Sequence, residues 1–535
     1  MEQRRHLIEE RPHRLLWDAH SVSGVVFGLA LFVIFFSGAF ALYRAELITW
    51  ADPVLREQDN PRPIDELVSP VLAEYPPVPG ADVIVNWPMY ERPHALVRYP
   101  TADGDGQREI IAIFNPSSGE RFFSERFSGR SSLSQILYEL HFFGPAGLIG
   151  ESIAGIIAVL CLFAVVSGVL IHLRKLPRDW HTFRPARKLR VALADAHTVL
   201  GMIGLPFTVM YAISGAFLGL TLAILAPVVL VLFDGDREAL QDLVEGYTAP
   251  KVELTEEQAP MLPFEEIART SEKHWKGAAD AVVVVVEGYG DRGALAKVYG
   301  AAKGSLTASP SLVMKAADGE ILASSDPDRA GVLEGTTAAL VNLHYARFGM
   351  PLAKTLYFFL ALAVGAVILS GNLLWILVRR PAAAGAESPR LHRFLARLTV
   401  GVGCGLVAAV PILFLTTRAL PLDLSSLATW EHVALYGSWS LFILTAFVGP
   451  SPVAAARWQL GVAGVGSLAV PVASGLSGAW PWISVTEGWW GILTIDCGFL
   501  VMGLGLLWTA RSMRSGISAE PTIRVESSEL APAGS

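Results

Sequence analysis

Asp18-Ala-His20-Ser-Val-Ser-Gly24 and Asp195-Ala-His197-Thr-Val-Leu-Gly201 are two versions of one segment, each opening a long apolar run. Ser37-Gly-Ala-Phe40 and Ser214-Gly-Ala-Phe217 follow the two histidines by the same 17 residues. Further on, Leu140-His141 and Leu343-His344 precede Ser167-Gly168 and Ser370-Gly371 by the same 26 residues, counted from each histidine. The unit is therefore an apolar helix, a polar segment and a second apolar helix, present twice. Two copies that cross a bilayer in the same sense are related by a pseudo-two-fold axis along the membrane normal.

Composition fixes the solvent of these helices. Of the 535 residues 52% are hydrophobic and 17% charged, with a mean hydropathy of +0.44. Soluble chains carry about 25% charged residues, so much of this one belongs in lipid. The net charge is −7 and no basic stretch interleaves with aromatics, which argues against nucleic-acid binding. Cys161, Cys404 and Cys497 all lie in apolar runs, so the polar segments carry no disulfide or CxxC motif, and redox chemistry requires a bound cofactor.

A helix needs about 20 apolar residues to cross the hydrocarbon core. Eight segments qualify, near 22–43, 148–172, 199–233, 352–378, 395–416, 430–448, 457–476 and 488–510, with Pro227 marking a kink or an end of the third. The first is too long for a signal peptide and is read as a retained anchor, since its pattern returns in mid-chain. Lys and Arg in short flanks stay cytoplasmic. Arg4, Arg5, Arg11 and Arg14 precede span one, and Arg174, Lys175, Arg178, Arg184, Arg187, Lys188 and Arg190 lie between spans two and three. Arg379, Arg380, Arg390, Arg393 and Arg397 follow span four, with Arg511 and Arg514 after span eight. Both termini are accordingly expected in the cytoplasm, as are the loops at 174–198 and 379–394 and the tail at 511–535.

The polar segments, 44–140 and 234–343, fall on the other side, each long enough for a small domain. Ala81-Asp-Val-Ile-Val-Asn-Trp87, His94-Ala-Leu-Val-Arg-Tyr99 and Ile110-Ile-Ala-Ile-Phe114 read as strands, with a turn at Asn115-Pro-Ser-Ser-Gly119. Ala281-Val-Val-Val-Val-Val-Glu287, Leu312-Val-Met-Lys315 and the Asp318-Gly319 turn repeat the pattern. The fold class expected is a polytopic α-helical membrane protein of about eight spans, with two α+β domains, each carrying its own small antiparallel sheet.

The repeated histidines are the candidate site. His20 and His197 sit at the cytoplasmic mouths of spans one and three, His141 and His344 at the external mouths of spans two and four. A single boundary histidine commonly bonds a carbonyl or meets headgroups, but four in register point to ligands. Imidazole is the usual axial ligand of haem b, and two histidines from facing helices hold one iron. Symmetry pairs His20 with His197 and His141 with His344, giving two haems stacked as an electron wire. His141 and His172 lie 31 residues apart, about 46 Å if all helical. His172, whose counterpart is Trp375, is an alternative ligand on the cytoplasmic side. Asp18 and Asp195 read as acids near helix N-termini, and Asp496, inside span eight, as a proton-path candidate.

At this point the chain resembles the PepSY-associated transmembrane family of iron-regulated membrane proteins. The resemblance rests on the AHSVSG and AHTVLG starts at Ala19 and Ala196, the SGAF ends at Ser37 and Ser214, the LHFFGPAG and LHYARFGMP approaches at Leu140 and Leu343, and the NPSSGE and AADGE turns. It spans about residues 14–380. It implies periplasmic PepSY-type domains at 44–140 and 234–343 on a bacterial inner membrane, and haem-dependent reduction of a ferric siderophore or related chelate in iron acquisition. His20, His141, His197 and His344 match the family's haem-ligand candidates, while His172 and the four-helix region at 395–510 go beyond its pattern. No GxGxxG follows a strand and the cytoplasmic loops are short, so the electron donor is expected to be a quinol or another protein. The competing expectations are a non-enzymatic anchored PepSY binding module and a secondary transporter; spans one to four lack the paired buried charges expected of the latter.

Overall fold

The computed structural model describes residues 2–56, 60–89, 93–103, 106–123, 130–173, 189–236, 248–328, 331–348, 350–378 and 389–517. The basic residues Arg174 to Lys188, Arg379 and Arg380, His181 and the tail beyond 517 lie outside them. Among the described residues, eight helices are long and apolar enough to cross a membrane. They are Arg14–Ala41, Gly144–His172, Leu205–Leu232, Pro351–Ile376, Arg390–Ala419, Leu427–Val448, Pro452–Leu476 and Trp490–Met513. The protein is thus a polytopic helical membrane protein, and the eight segments read from hydropathy correspond to these spans one for one.

The details that differ have local causes. Span three is preceded by a separate helix, Leu189–Ile203, that carries His197; the chain breaks at Gly204 because Pro206 follows at the new helix start. That span then continues through Pro227 to Leu232, neither ended nor split by it. Helices begin at Glu2 and Leu189, so Asp18 and Asp195 lie well inside them and not at N-termini. His141 and His344 do not open spans two and four. Each ends a short helix, Leu133–His141 or Val332–His344, that lies ahead of its span. After His141 the helix is broken by Phe143 at φ 57° and Gly147 at φ 56°, so the fully helical length estimate does not apply.

Spans one to four form a ring in which one packs on two and four, and three packs on two and four, as the pseudo-two-fold requires. The polar segments obey the same axis, but they do not make two sheets. Their strands join into one eight-stranded antiparallel sheet in the order β4-β3-β2-β1-β5-β6-β7-β8. Here β1 is Val83–Asn86, β2 Ala95–Asp103, β3 Gly106–Phe114, β4 Arg121–Phe123, β5 Ala279–Glu287, β6 Leu295–Ala302, β7 Ser311–Lys315 and β8 Ile321–Ser325. At the centre Val83 pairs with Val286 and Asn86 with Val283, so equivalent strands meet head to tail across the axis. One continuous core lies on a single face of this sheet: Val85, Val97 and Ala112 from one repeat, Val284, Val298 and Leu312 from the other. Period-two side chains make that face consistent across all these strands.

The helices covering that face, Ile64–Glu74 and Phe264–His274, cap each other. Asp65 accepts from the backbone N–H of Phe264 and Glu265 (both 2.9 Å), while Glu265 accepts from that of Ile64 (3.3 Å). Each helix supplies a carboxylate to the other's unsatisfied N-terminal donors.

Spans five to eight pack beside spans one and four and against the Arg44–Ala51 helix. Phe40 and Trp50 of the first repeat meet Phe414 and Phe499 at ring-centroid separations of 4.9 Å for Trp50–Phe414 and 5.5 Å for Phe40–Phe499. Such aromatic pairs add about 0.5–1.5 kcal/mol each beyond their burial.

Candidate functional site: two stacked histidine pairs

The ring of four spans brings the repeated histidines together in the two pairs that symmetry predicts. His20 and His197 have ring centroids 6.2 Å apart, and His141 and His344 have them 6.0 Å apart. A metal–imidazole bond is about 2 Å and the centroid lies about 1 Å behind the nitrogen, so two imidazoles on one metal put their centroids about 6 Å apart.

Each ring is held by its inner nitrogen. His20 Nδ1 donates to the Ala164 carbonyl (2.9 Å) and His197 Nδ1 to that of Val367 (2.9 Å), equivalent positions on spans two and four. His141 Nδ1 donates to the Ile34 carbonyl at 2.8 Å. His344 Nδ1 meets the Ser214 hydroxyl at 2.9 Å; that hydroxyl gives its proton to Met210 O, so it accepts here. A carbonyl can only accept, so the proton sits on Nδ1 and the Nε2 lone pair is left for a ligand role.

Each ring lies against the glycine of a Ser-Gly pair, and at three of the four a Cβ would be crowded, Gly215 being the exception. A Cβ on Gly38 would lie 2.6 Å from His141 Nδ1, one on Gly168 3.1 Å from His20 Cε1, one on Gly371 3.0 Å from His197 Cε1, and one on Gly215 3.8 Å from His344 Cε1. The duplicated Ser-Gly dipeptides are visible in the sequence, but their partnership with histidines on other helices is not. It depends on which helix faces which.

Both pairs open into cavities. The one away from the sheet, about 290 Å³, is lined by His20, His197, Gly168 and Gly371, and also by His172 and Trp375, each four residues after one of those glycines. The one nearer the sheet, about 270 Å³, is lined by His141, His344, Gly38, Gly215 and Tyr211. Tyr211 donates its hydroxyl proton to the His344 carbonyl (2.9 Å). Leu31 and Cys161 line both cavities, so the two levels adjoin inside one bundle. Along span one, His20 and Gly38 are 18 residues apart, about 27 Å of helix. Among the described residues no three His, Cys, Asp or Glu side chains gather as a bare-ion site. A pair of axial imidazoles is the donor set that a haem takes, the remaining ligands being its own, and glycine-walled apolar cavities suit a flat macrocycle.

Asp496, the proton-path candidate of span eight, has a partner: Trp50 Nε1 donates to it at 3.3 Å. It lies in the buried contact between span eight and the first repeat, away from the histidines.

An uncharacterized protein of Pseudomonas aeruginosa is 29% identical to this chain over 346 residues, covering 63% of this chain and 86% of that relative. Residues 17–377, which contain all four paired histidines and His172, match a family described as the PepSY-associated TM region. The chain is a member of that PepSY-associated transmembrane family.

Proposed function

We propose that this protein is a haem-dependent reductase of the bacterial inner membrane, passing electrons across it to a ferric siderophore or other ferric chelate during iron acquisition. The observation that carries the reading is the pair of histidine couples, 6.2 and 6.0 Å between ring centroids, stacked in adjoining cavities of one bundle. His20 with His197, and His141 with His344, would each hold one haem b. Bound there, haem supplies a reversible one-electron iron couple. The protein's own part is to keep each imidazole in one tautomer through its Nδ1 bond, to clear space with glycine, and to exclude water with an apolar wall. The arginine-rich flanks of the spans support an orientation with the His20–His197 level towards the cytoplasm and the sheet in the periplasm.

A quinol or a cytoplasmic protein donates on the His20 side, and the ferric chelate takes up one electron per iron on the His141 side. Reduction releases iron because the hard oxygen donors of a chelate hold iron(III) better than iron(II). The test is a dithionite-reduced minus air-oxidised spectrum of the detergent-purified protein, with pyridine haemochrome quantification. Two b-type haems per chain, reoxidised by a ferric chelate, are expected. Protein that stays colourless when haem is supplied during expression would sink the reading and favour an anchored PepSY binding module.

A further inference from the structure

The histidine-bearing helices of the two repeats are anchored differently. Val332–His344 is capped from within its own repeat: Glu334 accepts from the Gly331 N–H (3.2 Å) and from the Ser325 hydroxyl (2.7 Å). Leu133–His141 is capped from outside. Glu431, on span six and fully buried, accepts from the Ser132 N–H (2.6 Å) and the Ser131 hydroxyl (2.5 Å) at the start of that helix. Thr417, on span five, donates to the same carboxylate at 2.8 Å. The residues that match the family end at 377, so this cap comes from the part of the chain beyond the match.

The grip extends past one carboxylate. Arg418 donates to the carbonyls of Trp50 and Ala51 at the end of the Arg44–Ala51 helix. Arg56 donates to the Ser477 carbonyl (2.8 Å), after span seven. The Arg44–Ala51 helix in turn holds Leu133–His141, through Arg44 to Gln135 (2.8 Å) and Ser134 to the Arg44 carbonyl (2.9 Å). From Ser132 to His141 is nine residues, about 14 Å of rigid helix, so displacement at the cap is carried to the imidazole.

We infer that spans five to eight act as a brace that sets the position of His141 through Glu431, which is thus a positioning residue for the sheet-side redox site. The inference rests on the haem reading above. The carboxyl oxygens at this N-terminus accept from N–H and O–H donors that burial would otherwise leave unpaired. The second repeat needs no such brace because Glu334 already does the same for His344.

The test is a spectroscopic redox titration of Glu431→Ala, Glu431→Gln and Ser131→Ala beside the wild type. Glu431→Ala should shift one of two midpoint potentials, or lose that haem, while leaving the other unchanged. Glu431→Gln keeps an acceptor for Ser132 and a polar partner for the hydroxyls, so it should stay close to wild type. If Glu431→Ala does not fold, Ser131→Ala, which removes one contact, decides the matter by a smaller shift at the same haem. Two wild-type haems with both potentials unmoved in the folded variants would overturn the brace alone. A wild type without haem would overturn the functional reading, and the brace with it.

Discussion

Gly38 and His141 are in such close contact that a methyl group on Gly38 would lie 2.6 Å from the imidazole Nδ1. Alanine at an exposed helix position ordinarily stabilises by about 0.5–1 kcal/mol over glycine. Gly505, exposed on span eight with open space around it and outside both cavities, should follow that rule. Gly38→Ala should do the opposite. It should displace His141 and lower haem content from two per chain towards one, while Gly505→Ala keeps both, as read by pyridine haemochrome. Full haem in Gly38→Ala would mean that the ring moves without cost.

The hydroxyl partners are predicted to be unequal in weight. Ser167 lies 3.2 Å from His20 Nδ1, but the Ala164 carbonyl already accepts there at 2.9 Å. Ser214 is the acceptor that faces His344 Nδ1. Ser214→Ala therefore leaves a buried N–H unpaired, a cost of about 1–3 kcal/mol, whereas Ser167→Ala should be nearly silent. Haem retention during dilution into apo-myoglobin compares the two; equal loss from both would contradict the assignment.

Much of this arrangement is legible in the sequence because lipid imposes a simple rule: apolar runs of the right length become helices, and a duplicated histidine marks equivalent places in two copies. Pairing His20 with His197 and His141 with His344 then follows from symmetry alone. The single sheet is not legible that way, since each repeat supplies its own hairpins and nothing local says that β1 will pair with β5. A sign was present in Pro63-Ile-Asp-Glu66 and Pro263-Phe-Glu-Glu266, two matching helix starts with acids in the first turn. That the acids cap each other's helix requires the fold. Glu431 shows the same limit: its partners Ser131 and Ser132 are some 300 residues away in sequence.

The exchanged caps predict coupling between the two polar segments. Asp65→Ala and Glu265→Ala should each destabilise the sheet domain by about 1 kcal/mol, the usual worth of a cap. Because Asp65 accepts from the Glu265 backbone while Glu265 accepts beside Asp65, the double variant should lose measurably less than the two losses added. Thermal unfolding of the full chain measures this, and strict additivity would show the two caps to be independent.

Asp291 gives the sheet domain a pH dependence of known sign. Its carboxylate accepts from the Thr255 N–H (2.9 Å) and hydroxyl (2.9 Å) and the Gly293 N–H (2.7 Å), bonds that hold it below the usual carboxylate range. A carboxyl depressed in the folded state binds fewer protons than in the unfolded chain, so its contribution is present above the ordinary value of about 4 and is lost as pH falls through the folded one. Asp291→Asn should lower Tm at pH 7, and the gap to wild type should close below about pH 4. A gap that does not change with pH would show that the charge is not what matters.

The two histidine levels should separate cleanly in substitution. On the proposed haem reading, His141→Ala and His344→Ala would each take one ligand from the sheet-side pair, and His20→Ala and His197→Ala one from the other pair, so each should bring haem from two per chain to about one. The potential that survives should be the same within a pair and different between pairs, which a titration of all four variants resolves. His172 lines the cavity of the His20 pair but has no symmetry mate, its counterpart being Trp375. With His20 and His197 already at the separation of two axial ligands, His172→Ala should retain both haems. If it lost one while His20→Ala or His197→Ala did not, His172 would replace that residue as the ligand, and the two-fold pairing would fail on that side of the bundle.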